Sequence, residues 1–452
     1  AVSALVATAL VQAQEAAKPF EAPALSQESQ HKKAIQRIDN RFTRYHYKNV
    51  QLNDQLSEKI WNRYLEVVDY NKSLFLAADI EKFAKYRSKF DDGIKTGNLE
   101  FAFDMYEESV RRRIERLEQS IAMLDSVMDF TKKDEFYYDR EEIEWASNNA
   151  ELDEYWRQKV KYDALNLKLA GKEPAKIKET LTKRYKNTMR RLSQSQSEDA
   201  FQVIMNAYAR SIEAHTSYLS PRRAERFQMD MNLELEGIGA VLRPEDEFTM
   251  IQSLVPGGPA DKTEQLKPED KIIAVAQGED DYVDIVGWRL DEVVELIKGK
   301  KGTEVRLQVV RGENTPENSK EVSIIRDKVR LEDRAADSSV FESLTGKVES
   351  KVGVITIPSF YNNLHADVKK EIKKLKDQNV DGIIVDLRGN GGGSLSEASL
   401  LTGLFIDKGP VVQIRNQVGN IDVRGDHDGV TYYDGPLTVM VDRYSASASE
   451  IF

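Results

Sequence analysis

The chain contains no cysteine among its 452 residues. This absence excludes a cysteine nucleophile, a thiolate metal site and disulfide bonds. Only five histidines occur, and no His/Asp/Glu set has a metal-ligand spacing such as H-E-x-x-H. We therefore expect no metal and no cofactor. After the first residues no run of about 20 apolar residues is found, so we do not expect the chain to span a membrane.

Basic residues are fewer than acidic ones, and the chain carries a formal net charge of -11. An acidic balance argues against nucleic acid as the main partner. With 31% charged and 40% hydrophobic residues, the composition is typical of globular domains. The length is sufficient for two to four domains with large cores.

The N-terminal segment differs from the rest. Residues 1–13 are apolar, small and uncharged, as in the h-region and cleavage site of a secretory signal peptide, with Val11 and Ala13 at the small-residue positions. The alternative is a buried helix start. Residues 14 to about 30 are rich in Gln, Ala, Glu, Pro and Ser and suggest a mature leader, so residues 1–30 are predicted as signal-peptide remnant and leader.

Three blocks follow. Apolar residues recur at three- and four-residue spacing over residues 31–225, for example at Leu56, Ile60 and Tyr64, which predicts a helical domain. Residues 230–315 change to short strand-like runs with glycines between them, and they predict a β-rich module with one clear helix at Leu290–Ile297.

The third block, residues 316–452, alternates strands and helices. Its first strand is predicted at Glu321–Arg326. Alternation of this kind favours an α/β layer with a largely parallel sheet.

A glycine-rich run, Arg388–Gly393, lies between a predicted strand and a predicted helix of the third block. Glycines let backbone N–H groups approach a ligand closely. The run lacks the Gly-Lys-Ser/Thr ending of a phosphate-binding loop. It also lacks the G-x-G-x-x-G spacing of a dinucleotide-binding loop. Two interpretations remain: donors for a developing oxyanion, or a tight turn at a strand end.

Three serines alternate with alanines after the strand Leu437–Val441, and a helix start follows them. Ser445, Ser447 and Ser449 are therefore candidate nucleophiles beside free N–H groups of a helix start. The alternative is that one serine only caps the helix. The glycine-rich run in the same block favours acyl transfer, which needs a hydroxyl and two N–H donors at one carbonyl.

A serine nucleophile needs a base. Among the histidines, His427 has the most suitable position for the base of a triad. Its Asp-His-Asp-Gly context, however, is more typical of an exposed histidine in a turn. His215 is interpreted as structural. A histidine-based triad therefore has little support in the sequence.

The β-rich module has a second candidate site at Gly237, Ile238, Gly239, Ala240 and Val241. Two glycines before a strand can direct N–H groups at a terminal carboxylate, and the neighbouring strand edge can accept an added peptide strand. The alternative is a plain β-domain with a bulge.

Together these motifs resemble the carboxy-terminal processing protease family, and its tail-specific branch in particular. The matching segments occur in the family's order: Asp69–Leu76, His215–Pro221, Gly237–Gly239, Val385–Gly393 and Val441–Glu450. The resemblance implies a multidomain α+β protein with a helical N-terminal domain, a PDZ β-module and an α/β core like those of crotonase and ClpP, present here without its C-terminal side.

The resemblance also implies roles for single residues. Ser447 would be the nucleophile of a serine–lysine dyad. Gly392 or Gly393, with the N–H of Ala448, would form the oxyanion hole, and Glu450 would support the site. The family's lysine base lies in a segment after the nucleophile helix, beyond residue 452, so we expect these 452 residues alone to be inactive.

The implied function is that of a periplasmic serine endopeptidase acting on proteins with apolar C-terminal tails. The PDZ module would bind the tail, and the helical domain could dock a lipoprotein adaptor. Two rivals remain: a non-catalytic PDZ scaffold that binds C-terminal peptides, and a hydrolase or acyl-CoA enzyme of crotonase type, which the peptide-binding module disfavours.

Overall fold

A computed structural model of the chain describes residues 19–312, 319–345 and 348–452, with the side chains of 343–345, 348 and 349 left out of account. The predicted signal-peptide segment, residues 1–13, lies outside the described part of the chain.

The chain folds into two compact units. One contains residues 19–44 and 50–218, and the other contains residues 45–49 and 219–452. In the described ranges, no helix has both the length and the apolar character needed to cross a membrane.

The first unit is the helical module. Its helices are α1 (Ser29–Tyr45), α2 (Asp54–Val68), α3 (Ala77–Phe83), α4 (Phe90–Thr96), α5 (Glu100–Ala122), α6 (Asn149–Leu169), α7 (Pro174–Ser193) and α8 (Ser197–Ile212). Asn53 caps α2 by accepting a hydrogen bond from the Leu56 N–H, and Asn148 caps α6 similarly. Helix α5 contributes Phe103 to one apolar core and Ile114 to a second.

The described part of the predicted leader belongs to this module, which corrects the boundary expected at residue 30. Leu25 is buried, and its N–H donates to Glu107 at 2.7 Å. The Gln27 side chain donates to the Gly97 carbonyl and accepts from the Leu99 N–H, both at 2.7 Å. Composition alone suggested a leader here because few of these residues are apolar.

The turn after α2 is organised by one buried carboxylate. Asp69 accepts hydrogen bonds from the N–H groups of Ser73, Leu74 and Phe75, at 2.7 to 3.2 Å. The indole Nε1–H of Trp145 donates to the same carboxylate at 3.1 Å. The segment Asp69–Leu76, singled out in the sequence, is therefore a turn built around one acidic side chain.

The second unit begins with α9 (Pro221–Asn232) and the β-module. The elements of the β-module are β1 (Glu234–Gly237), β2 (Ala240–Glu245), β3 (Phe248–Leu254), α10 (Pro259–Lys262), β4 (Lys271–Gln277), β5 (Val283–Asp284), α11 (Leu290–Ile297), β6 (Glu304–Val310), β7 (Lys320–Ile325) and β8 (Asp327–Arg330). The main sheet has the order β2-β3-β4-β6-β7, with β5 on β4, and β1 pairs with β8.

The predicted helix at Leu290–Ile297 is confirmed. The assignment of Glu321–Arg326 to the third block was wrong, because β7 pairs antiparallel with β6 and thus completes the sheet of the β-module. Its alternating pattern fitted either sheet, and only the pairing partner distinguishes them.

The third block is an α/β module, as expected. Its elements are β9 (Asp337–Thr345), β10 (Val348–Thr356), α12 (Leu364–Asp377), β11 (Gly382–Asp386), α13 (Leu395–Thr402), β12 (Gly409–Arg415), β13 (Ile421–Asp426), β14 (Leu437–Met440) and α14 (Ala448–Ile451). Its sheet has the order β14-β11-β10-β9, with β10, β11 and β14 parallel and β9 antiparallel at the edge. The multidomain α+β fold class is therefore confirmed.

We predict that Asp69→Ala lowers the free energy of unfolding of the helical module by about 3 kcal/mol, because buried N–H groups lose their acceptor. The shift is measured as the urea midpoint of Trp fluorescence, to which Trp145 contributes. The exposed Asp104 of α5 provides the control, and Asp104→Ala should stay within about 0.5 kcal/mol of the parent. Equal midpoints for both variants would contradict the role assigned to Asp69.

Candidate active site

Two loops meet at one edge of the α/β sheet. Strands β11 and β14 are parallel neighbours, so their carboxyl ends lie at the same edge and the loops that follow them start side by side. The Leu387 N–H donates to the Met440 carbonyl at 2.9 Å. The Gly389 N–H donates to the Asp442 carboxylate at 3.0 Å. The glycine-rich run and the serine run, fifty residues apart in sequence, are thereby joined.

The structure distinguishes the three serines. The Ser445 hydroxyl donates to the Leu387 carbonyl at 2.8 Å and accepts from the Asp442 N–H at 2.9 Å. The buried Ser449 hydroxyl donates to the Asn390 carbonyl at 2.9 Å. The Ser447 hydroxyl is exposed and forms no hydrogen bond with any described residue. Ser445 and Ser449 thus hold the loops together, and Ser447 presents an unengaged hydroxyl.

Ser447 occupies a strained turn. Its backbone has φ 57° and ψ -114°, a combination that side-chain-bearing residues rarely adopt. Helix α14 begins at the next residue, Ala448, and the Glu450 carboxylate accepts a hydrogen bond from the Ser447 N–H at 2.6 Å. A serine at a strained strand-to-helix turn is the arrangement that exposes the nucleophilic hydroxyl in α/β-hydrolases.

The glycines of the first loop are required by close contacts. Gly392 has φ 103°, and a Cβ there would lie 2.7 Å from the Ser447 Cβ and 3.0 Å from the Ala448 nitrogen. Gly393 has φ 145°, and a Cβ there would lie 2.4 Å from the Phe360 carbonyl oxygen. A side chain at Gly392 would push the glycine-rich loop away from the serine run, and one at Gly393 would push it away from the backbone of Phe360.

The N–H groups near Ser447 are not equivalent. The Gly392 N–H donates to the Asn390 side-chain oxygen at 2.9 Å. The N–H groups of Gly393 and Ala448 have no partner in the described ranges. Between the two glycines that the sequence left as alternatives, Gly393 therefore has the donor that is available.

Asn390, to which the sequence analysis gave no role, connects the parts of the site. It is fully buried, and its side chain donates to the Ile357 carbonyl at 2.8 Å in addition to accepting from Gly392. Its backbone carbonyl accepts from the Ala446 N–H at 3.1 Å and from the Ser449 hydroxyl. An Asn inside a glycine run suggests only a turn, so no sequence signal marked this function.

Three charged side chains at the two loops, Asp386, Arg388 and Asp442, are engaged within the loops. The Arg388 guanidinium forms an ion pair with Asp386 at 2.7 Å and holds the pKa of that carboxyl below its ordinary value. Hydrogen bonds from the N–H groups of Gly389 and Tyr444 lower the pKa of Asp442. Asp442 therefore stays ionised at neutral pH, where its carboxylate binds the glycine loop.

Histidine does not supply the base within the described residues. His427 is exposed, has no partner there, and follows β13 instead of lying in the β12–β13 hairpin turn. His365 binds the buried Glu397 carboxylate through Nδ1 at 2.8 Å. No described lysine amine or histidine ring forms a hydrogen bond with the Ser447 hydroxyl. In these same ranges, no cluster of three or more His, Asp or Glu residues could hold a metal ion.

The second candidate site has the geometry of a peptide groove. Among the described strands β2 pairs only with β3, so its other edge is open, and α11 packs beside it. The N–H groups of Ile238 and Gly239 have no partner in the described ranges. The Ile238 side chain is buried in the core of the β-module, so only its backbone is available to a ligand. Ala240 is half-buried and Val241 is exposed.

Comparison with known proteins assigns each module. The family described as "Tail specific protease N-terminal domain" matches residues 38–222, the PDZ domain family matches residues 226–310, and peptidase family S41 matches residues 351–452.

Two curated relatives are longer than this chain. The tail-specific protease of Haemophilus influenzae is 47% identical over 431 residues, which are 95% of this chain and 61% of the relative. A probable CtpA-like serine protease of Staphylococcus haemolyticus is 31% identical over 53% of this chain and 45% of its own length. The chain thus spans about three fifths of the first relative and less than half of the second.

Two solved structures are also similar. The PDZ domain of a carboxy-terminal protease from Vibrio cholerae, in complex with a peptide, is 55% identical and covers 22% of this chain and 99% of its own, with a TM-score of 0.21. A photosystem II D1 C-terminal processing protease is 23% identical over 62% of this chain and 71% of its own, with a TM-score of 0.28.

The three domains occur in the order that the motifs indicated, and the identity to the Haemophilus protein extends over nearly all of the chain. The chain therefore belongs to the carboxy-terminal processing protease family, in its tail-specific branch.

Proposed function

We propose that the protein containing this chain is a serine endopeptidase that recognises substrates by an apolar C-terminal tail. One observation carries the catalytic part: Ser447 alone of the three serines has an unengaged hydroxyl, on a strained turn beside free N–H donors. In this proposal Ser447 attacks the scissile carbonyl. The N–H groups of Ala448 and Gly393 then stabilise the oxyanion, while Gly392 provides the close approach and Glu450 fixes the turn.

The attack requires that the Ser447 proton leave as the bond to carbon forms. We assign that role to a lysine outside residues 1–452, as the family resemblance implies. A lysine can accept a proton near neutral pH only when burial in an apolar environment lowers its pKa. The absence of a described base next to Ser447 agrees with this assignment.

The tail would bind at the open edge of β2. An extended peptide there forms main-chain hydrogen bonds with the strand, and the free N–H groups of Ile238 and Gly239 donate to its terminal carboxylate. The partly buried side chains of Ala240 and Leu242, which pack on the core of the β-module, offer apolar contact. These features support protein substrates with apolar C-terminal tails.

We further propose that the protein acts in the periplasm. The apolar, small-residue segment 1–13, which resembles part of a secretory signal peptide, supports export.

We also propose that the helical module docks a lipoprotein adaptor. A cavity of about 730 Å³ in this module supports a docking role. Its lining includes the exposed Val67 and Tyr70 and two arginines, Arg63 and Arg210, whose guanidinium groups have no partner among the described residues.

We predict that Ser447→Ala, made in the full-length protein, lowers the proteolytic rate about 1000-fold or more while tail binding is retained. Ser445→Ala is the matched control, since it removes a hydroxyl from the same run and should reduce stability more than the rate per folded molecule. Peptide cleavage is measured with purified protein of verified fold. Unchanged cleavage by the Ser447 variant would exclude Ser447 as the nucleophile, and a parent protein that binds the tail without cleaving it would favour the non-catalytic scaffold.

Amidation of a substrate's C-terminus should slow its cleavage about tenfold, because the N–H groups at Gly237–Gly239 lose an anionic acceptor. Initial rates are compared for the free-acid and amidated forms of one apolar-tailed substrate. A substrate whose tail is acidic throughout serves as the control and should be cleaved slowly in both forms. Equal rates for the two apolar-tailed forms would contradict tail recognition.

The 452-residue chain by itself should cleave no peptide above background, because no residue that the structure describes supplies a base to Ser447. The full-length Haemophilus relative is the positive control under identical conditions. Turnover by the 452-residue chain that disappears with Ser447→Ala would show that the base lies within these residues.

A further inference from the structure

A lysine lies beside the loop proposed to bind the tail carboxylate. Lys298 follows the last residue of α11, and a Cβ placed on Gly237 would lie 3.7 Å from the Lys298 Cα and 4.0 Å from its Cγ. The aliphatic part of Lys298 therefore packs directly against the start of the Gly237–Gly239 loop. The flexible four-carbon stem of lysine allows its amine to pair with a carboxylate bound at this loop.

Two glutamates hold the Lys298 amine in the present structure. Its Nζ lies 2.8 Å from Glu295 on α11 and 3.2 Å from Glu225 on α9. Burial opposes the charge, but the hydrogen bonds that the amine donates to Glu295 and Glu225 outweigh it, and the pKa of Lys298 is raised. The amine is therefore a cation at neutral pH with carboxylate partners that another carboxylate can replace.

The position of Lys298 also offsets the partial negative charge at the C-terminal end of α11. The C-terminal end of α11 carries the partial negative charge of a helix terminus, which disfavours an incoming carboxylate. A cation at the residue after the helix offsets this charge.

The other cations nearby are engaged differently. Lys301 pairs with Asp327 at 2.7 Å. The buried Arg326 donates to carbonyl groups at the end of α11, namely those of Leu296 and Ile297.

We propose that Lys298 is the cation that recognises the tail carboxylate, and that Glu225 competes with the tail for it. This inference rests on the proposed tail recognition and deepens it. A bound tail takes the place of Glu225 on the Lys298 amine, so the ion pair between α9 and the β-module opens when a substrate is held. Lys298 then determines the preference for a free carboxylate, and Glu225 weakens the binding of every free-acid tail.

The test is a binding titration with the 452-residue chain. A fluorescently labelled peptide with an apolar tail is used as the free acid and as the amide, and anisotropy gives both affinities. Lys298→Gln should weaken free-acid binding about five- to tenfold and leave amide binding unchanged. Lys298→Arg should keep most of the preference. Glu225→Gln should strengthen free-acid binding about two- to threefold without affecting the amide.

Lys300 provides the matched control, because it is an exposed lysine of the same segment. Lys300→Gln should bind both peptides as the parent does. If Lys298→Gln weakens acid and amide equally, or keeps the parental preference, the role of Lys298 is overturned. No change with Glu225→Gln overturns the competition. A parent chain that binds acid and amide equally overturns tail recognition itself, whatever the variants do.

Discussion

The candidate active site depends on a buried asparagine. Asn390 binds the Ile357 carbonyl and the Gly392 N–H through its side chain, and its own carbonyl accepts from Ala446 and Ser449. A fully buried amide is costly unless its hydrogen bonds are formed, and here the bonds of Asn390 join the glycine-rich loop to the segment after β10 and to the serine run. Parallel pairing of β11 and β14 brings the two loops to one edge, and Asn390 fixes their relative position.

That fixed position makes the strain at Ser447 tolerable. A serine at φ 57° and ψ -114° would relax to a common conformation if its turn were free. Three constraints prevent this relaxation. They are the hydrogen bond from the Ser447 N–H to the Glu450 carboxylate, the start of α14 at Ala448, and the contact with Gly392. The same constraints leave the hydroxyl of Ser447 exposed.

The candidate site of the β-module also relies on backbone N–H groups. Among the described residues, the outer edge of β2 pairs with no strand, and the Ile238 and Gly239 N–H groups of the neighbouring loop have no partner. In the proposal above, Glu225 and Glu295 bind the Lys298 amine until the carboxylate of a substrate tail replaces Glu225. Both sites thus consist of backbone donors that the fold leaves unpaired, with charged side chains at their borders.

The sequence by itself determined the three-part organisation, the helix at Leu290–Ile297, the parallel α/β block and the two motifs of the site. Hydrophobic period, glycine position and the alternation of strands with helices can each be recognised in a short stretch of sequence. It did not determine that Lys320–Ile325 joins the β-module, that Leu25 packs on the helical module, or that Asn390 links the loops. Those facts depend on which distant segment supplies the partner. Likewise, the run Ser445–Ser449 presents three equivalent hydroxyls in sequence, and only the tertiary structure, by engaging two of them in hydrogen bonds, leaves Ser447 unengaged.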